Sequence, residues 1–407
     1  MTARSVETRA SWVVAFATLA IMSVTYGAPL VLVVALKPIA ADLGAPRSVP
    51  ALAAALASFG TGLGGIPMGW LAERLGVRRM TVFGAGMAAL GLAISTLGGQ
   101  WALYIGYGLF LGLLGNGCLN APLMTYVSRW FDRRRGTALA LITSGQYVAG
   151  AIWPSLFERG IEWWGWQRTT LVFAVIEAVA ILPLAILFLR PPPKAPAAGG
   201  YGAGPMPGGL VLGMRPNLVL GLMSVAIFLC CVPMALPSVH LVSFCTDLGL
   251  SATTGAAMLS VLLACAFLSR QFWGWLGDRI GGLRTVLVCS ACQAVTLSLF
   301  LATQSEIGLF TVAAAFGLGF AGLVPSYVLA IREHFPASEA GWRVPALLFS
   351  GLLGMATGGW MGGAVYDASG SYAPAFLLGV ASNVANLAVV GFLVARLGGA
   401  RLRMAAA

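Results

Sequence analysis

Arg270 stands in the apolar run LLACAFLSRQFWGWLGDR, eight residues ahead of Asp278. Eight helical residues rise about 12 Å, which in a hydrocarbon core of about 30 Å puts the guanidinium close to the midplane. A fixed charge at that depth costs at least about 2.5 kcal/mol, and Arg cannot shed its proton to escape the cost. It must therefore face water or an anion. Its planar fork matches a carboxylate bidentately, so the chemistry it offers is anion binding. The alternative is an ion pair with Glu177, the one acid set well inside another apolar run; Glu177 is also a possible proton site.

Few other polar side chains interrupt the apolar runs. Asn116 and Asn120 are four apart, on one face of a helix. Tyr327, Tyr26 beside Pro29, Gln146 and Tyr147 add hydroxyls and an amide. These six are candidate substrate-binding groups, and hydrogen bonding between helices is the competing use. Cys289 and Cys292 have a CxxC spacing, but with no second pair and only His240 and His334 in the chain, neither a metal site nor a cofactor is expected.

The elements that must position these residues are membrane spans. Of 407 residues, 59% are hydrophobic and 9% charged, against about a quarter charged in soluble domains. Twelve apolar segments follow one another: 11–36, 48–72, 80–98, 101–127, 136–157, 169–189, 217–245, 252–276, 284–303, 307–331, 344–366 and 373–395. The fold class expected is all-α integral membrane. The first segment reads as a retained helix, because no short apolar core with a small-residue cleavage site precedes it. Trp163, Trp164 and Trp166 suit an interfacial belt.

The net charge of +11 follows from the positive-inside rule, not from nucleic-acid binding. With both termini in the cytoplasm, inside segments hold nineteen Lys and Arg, and outside loops hold Lys37, Arg47, Arg159 and Arg168. A multi-pass protein of the cell inner membrane is expected. The Pro- and Gly-rich stretch PPPKAPAAGGYGAGPMPGGLVLGM marks a cytoplasmic linker at 191–215, between six-helix bundles at 1–190 and 216–407.

The halves repeat. GWLAERLG at Gly69–Gly76 recurs as GWLGDRIG at Gly274–Gly281, Arg79 recurs as Arg284, and Asp42-Leu-Gly44 recurs as Asp247-Leu-Gly249, always 205 residues apart. Parallel repeats are a transporter arrangement with the site between halves. Gly69, Glu73, Arg74, Arg79, Gly274, Asp278, Arg279 and Arg284 form a candidate conformational latch of charged loops. This pattern resembles the helix 2–3 loop signature of the major facilitator superfamily, with Glu73 in place of its usual Asp. The resemblance implies two six-helix bundles and a cavity lined by helices 1, 4, 7 and 10.

Tyr126–Gly150, YVSRWFDRRRGTALALITSGQYVAG, resembles the helix 5 signature of the monocarboxylate transporters, and Tyr26–Lys37 resembles that family's helix 1. Arg270 falls on the family's substrate-binding Arg. The resemblance covers essentially the whole chain. It implies proton-coupled symport of lactate, pyruvate and similar short monocarboxylates by rocker-switch alternating access, with a monomer as the transport unit. Leu30 stands where mammalian members carry a proton-relay Lys, and Ala266 where they carry an Asp, so that relay is not reproduced. Organic anion exchange, as in oxalate:formate antiporters, is the alternative; it calls for a second cation. An enzyme would need a paired acid–base or metal cluster, and a channel would need a symmetric pore or filter loops; neither pattern is visible.

Overall fold

The computed structural model describes residues 7–131, 135–191 and 210–405. Residues 192–209 of the expected linker at 191–215 lie outside the described residues. Eleven described helices are long and apolar enough to cross a membrane. They are Arg9–Val34 (α1), Ser48–Leu75 (α2), Val77–Ser95 (α3), Gln100–Ser128 (α4), Thr137–Phe188, Pro216–Asp247 (α7), Ala252–Ile280 (α8), Gly282–Ala302 (α9), Glu306–His334 (α10), Trp342–Ser369 (α11) and Ala373–Leu397 (α12). The fifth runs over 52 residues, more than twice the roughly 20 that one crossing needs. It breaks at Gly165, where φ is 79° and ψ 166°, a backbone position that suits a residue without Cβ. Its arms, 137–164 (α5) and 166–188 (α6), complete the twelve expected spans.

The 205-residue repeat is written into the backbone. Gly76, between α2 and α3, has φ 88°, and Gly281, between α8 and α9, has φ 86°. Both lie in the left-handed half of φ space that ends helices without strain only at glycine. Packing repeats too. A Cβ on Gly112 of α4 would stand 2.6 Å from the Ala57 carbonyl oxygen of α2, and one on Gly317 of α10 would stand 2.1 Å from that of Leu262 of α8. Both glycine and partner are shifted by 205. Without a hydrophobic force between helices in lipid, such close backbone approach is what binds them.

The chain divides into two compact units. One comprises Met1–Gly199 with Val242–Ser260; the other comprises Gly200–Leu241 with Val261–Ala407. The sequence places the division at the linker, whereas compactness groups the end of α7 and the start of α8 with the first unit. Within that unit Trp153, Phe157 and Phe173 form an aromatic cluster with centroids 4.8–5.5 Å apart. In the second unit Phe300 stacks on Phe376 at 5.6 Å and meets Phe316 edge-on at 6.1 Å.

Candidate functional site

Two of the expected site residues of the first unit touch. Asn120 Nδ2 donates to the Tyr26 hydroxyl at 2.7 Å. Proline sets both positions. Pro29 has no N–H for the Thr25 carbonyl, and α1 breaks at Tyr26, between the helical stretches Arg9–Thr25 and Gly27–Val34. Pro122 likewise has none for the Cys118 carbonyl, and α4 breaks at Asn120, with φ −91° and ψ −82°. Each kink turns a polar side chain out of the regular ladder, and the two meet.

Asn116 ends an unusual stretch. Ile105–Asn116 is a π-helix, a wide winding that marks functional sites more often than chance. Asn116 is 6% exposed, and its Oδ1 has no hydrogen-bond partner among the described residues. A buried amide oxygen left open is costly, so this atom is an acceptor waiting for a donor. On α5 Gln146 is half-buried and Tyr147 buried. Glu177 of α6 is fully buried, and neither carboxyl oxygen has a hydrogen-bond partner among the described residues.

In the second unit Arg270 is half-buried on α8. The face beside it is fixed: Ser269 Oγ donates to the Gly317 carbonyl at 3.2 Å, and Trp273 Nε1 to that of Leu318 at 2.7 Å. These two anchors to α10 hold the Arg270 backbone in register. Ala266, one turn earlier, is fully buried. Leu30 packs against the apolar core of the first unit. Neither position holds an ionisable group.

Tyr327 is fully buried, and its hydroxyl donates to Asn386 Oδ1 at 2.8 Å. Asn386 donates in turn to Ser290 Oγ at 2.8 Å and to Asn383 Oδ1 at 3.2 Å. Asn383 reaches Gln293 Oε1 at 3.1 Å, and Gln293 reaches the Cys230 carbonyl at 3.2 Å. This chain ties α7, α9, α10 and α12 together, and it commits the Tyr327 hydroxyl to the unit's own core. The Cys289 thiol of the CxxC pair donates to the Gly319 carbonyl at 2.8 Å, a helix-to-helix bond.

The charged loops differ between the copies. Glu73 pairs with Arg129 from the end of α4 at 2.6 Å, while Arg74 lies over the Trp70 ring at 3.7 Å. Arg279 lies over Trp275 at 4.1 Å, the same pair 205 residues on. There Glu333, from the end of α10, instead accepts the Gly282 backbone N–H at 2.9 Å, at the positive end of α9. Among the described residues, nothing stands within 4 Å of a Cβ placed on Gly69 or Gly274. Arg79 and Asp278 are exposed and Arg284 half-buried.

Sequence reasoning passed over a second polar cluster. Asp247 takes Arg47 on both oxygens, at 2.5 and 2.9 Å, and Lys37 at 2.5 Å. Nearby in the chain, Thr253 Oγ1 donates to the buried Glu158 at 2.8 Å. The repeated Asp-Leu-Gly was the available signal, since it singled out Asp247.

Residues 11–267, and again 223–402, match the Major Facilitator Superfamily. The chain belongs to that superfamily. Among its relatives, monocarboxylate transporter 13 of Rattus norvegicus is 26% identical over 84% of this chain and 78% of its own length. The MFS transporter asaE of Aspergillus flavus is 24% identical over 75% and 68%, and the MFS-type transporter YcxA of Bacillus subtilis 22% over 82% and 83%. Of solved structures, a POT family transporter in complex with 5-aminolevulinic acid aligns with a TM-score of 0.72 at 14% identity, over 95% of this chain and 96% of that one. A bacterial homolog of the human lysosomal transporter Spinster aligns at 0.67, with 14% identity, over 94% and 96%. The protein is thus a multi-pass membrane transporter, not an enzyme.

Proposed function

We propose that this transporter carries short monocarboxylates, L-lactate and pyruvate among them, together with a proton, by rocker-switch alternating access. One observation carries the reading: Arg270, a permanent cation inside a membrane span, held in register by Ser269 and Trp273. Enclosing a guanidinium in low dielectric carries a desolvation cost, which a carboxylate bound across its fork offsets. Binding of the anion would therefore license closure. Within the first unit, Asn120, Tyr26 and Asn116 are the proposed neutral donors and acceptors on the substrate path. The similarity to monocarboxylate transporter 13 agrees with this substrate class.

With Leu30 and Ala266 in place of the relay groups, the proton travels with the substrate carboxylate. Glu177 is the second place where a proton could reside. The loops around Glu73, Arg74, Arg79, Asp278, Arg279 and Arg284 act as the latch, exchanging partners as the bundles move. Charge asymmetry orients both termini to the cytoplasm of an inner membrane, and the monomer is the transport unit. Uptake by proteoliposomes across a panel of monocarboxylates, with and without an inward proton gradient, tests the reading. Saturable uptake that rises as external pH falls supports it; counterflow without proton movement would replace symport by anion exchange.

A further inference from the structure

We infer that Lys37 and Arg47 form a second carboxylate site, occupied in this conformation by the protein's own Asp247, which receives the substrate anion at the outer end of the carrier. The inference rests on the proposed anionic substrate and on the proposed orientation.

The geometry is that of a built carboxylate site. Arg47 meets Asp247 bidentately, Nη1 to Oδ2 at 2.5 Å and Nη2 to Oδ1 at 2.9 Å, and Lys37 Nζ meets Oδ1 at 2.5 Å. Planar two-point recognition is what a guanidinium offers any carboxylate, and the ammonium adds a point charge. The three side chains are partly buried, at 29% exposure for Lys37, 16% for Arg47 and 23% for Asp247. The pairs are thus screened less than open surface pairs. Two cations, Lys37 and Arg47, thus surround the one carboxylate of Asp247.

The repeat shows that this arrangement is particular to one end of one half. Asp42 is the counterpart of Asp247, 205 residues earlier, and it is held by neutral donors: Gln167 Nε2 at 2.7 Å and Trp166 Nε1 at 3.3 Å. Holding an aspartate at a helix end therefore needs no cations. Their presence around Asp247 alone gives that site a different task. Asp247 closes α7, the helix whose last residues belong with the first unit while its body belongs to the second. Any movement that withdraws the end of α7 bares Lys37 and Arg47 together, already spaced for a carboxylate. The internal acid then competes with the incoming anion, so that the empty site reseals itself.

Chemical rescue tests the site without reference to the transported substrate. Asp247→Ala in the purified full-length protein removes the resident carboxylate. Its melting temperature should fall by several degrees, and sodium formate should restore it where sodium chloride of equal ionic strength does not. The rescue should vanish in Asp247→Ala combined with Arg47→Gln. An unchanged melting temperature, recovery given equally by chloride, or recovery that survives the loss of Arg47 would each overturn the site. A sided measurement then links it to transport. Lys37→Gln with Arg47→Gln should raise the KM for L-lactate uptake about tenfold, equivalent to about 1.4 kcal/mol, and leave the KM for efflux within twofold. Equal change on both sides overturns the entry role. Absence of lactate transport by the unaltered protein would refute the proposed substrate instead, and formate rescue would still report on the site.

Discussion

Asn120 donates a hydrogen bond of 2.7 Å to the hydroxyl of Tyr26, joining the kink of α4 to the kink of α1 across 94 positions of sequence. If the pair acts as one unit on the substrate path, its two members should be coupled. Tyr26→Phe and Asn120→Ala should each lower kcat/KM for lactate uptake about tenfold. The double variant should be little worse than either single one, the signature of a shared interaction. Strict additivity of the two losses would show separate roles.

Tyr327 and Asn386 make the opposite case. Tyr327→Phe removes the donor and leaves Asn386 Oδ1 unpaired in a buried network. The expected cost is about 1–3 kcal/mol of stability, read as a lower melting temperature, with the KM for lactate unchanged. A shifted KM at native stability would return Tyr327 to the substrate path.

Helix packing separates two kinds of glycine. A Cβ on Gly64 would stand 2.1 Å from the Leu113 carbonyl oxygen, which is backbone and cannot rotate away. Gly64→Ala should therefore lower the yield of folded protein. At Gly69 a Cβ meets nothing within 4 Å among the described residues, so Gly69→Ala should fold normally. If the loop is a latch, that variant should still turn over more slowly, measured as a lower kcat at unchanged melting temperature.

Glu177 bears on the proton. Glu177→Gln keeps the volume and removes the titratable group. If the proton rides on the substrate carboxylate, the variant keeps the dependence of uptake on an imposed pH gradient. Uptake made indifferent to that gradient would assign the proton to Glu177.

Much of this was legible in the chain. Spacing of charges and apolar runs gives the spans, and the GWLxxRxG repeat already marks the positive-φ glycines at 76 and 281, because helix ends need them. Arg270 stands out because a lone cation in twenty apolar residues is expensive and therefore rare. The joint at Gly165 leaves the span count intact but fuses two helices into one element, since a single left-handed residue can redirect a chain without a loop. The partners were not legible. Tyr26 with Asn120, Lys37 with Asp247, and Tyr327 with Asn386 all depend on which helices lie side by side. Periodicity reports a residue's face, not what that face meets. The π-helix at 105–116 escaped for a related reason: its glycines permit wide winding, but the packing of α2 and α3 against α4 selects it.

The most direct measurement is L-lactate uptake into proteoliposomes under an inward proton gradient, for the unaltered protein and for Arg270→Gln at equal amounts of folded carrier. The account predicts saturable, gradient-driven uptake in the first, and its loss, with loss of lactate binding, in a second that keeps its melting temperature. Near-native lactate affinity in Arg270→Gln would contradict it.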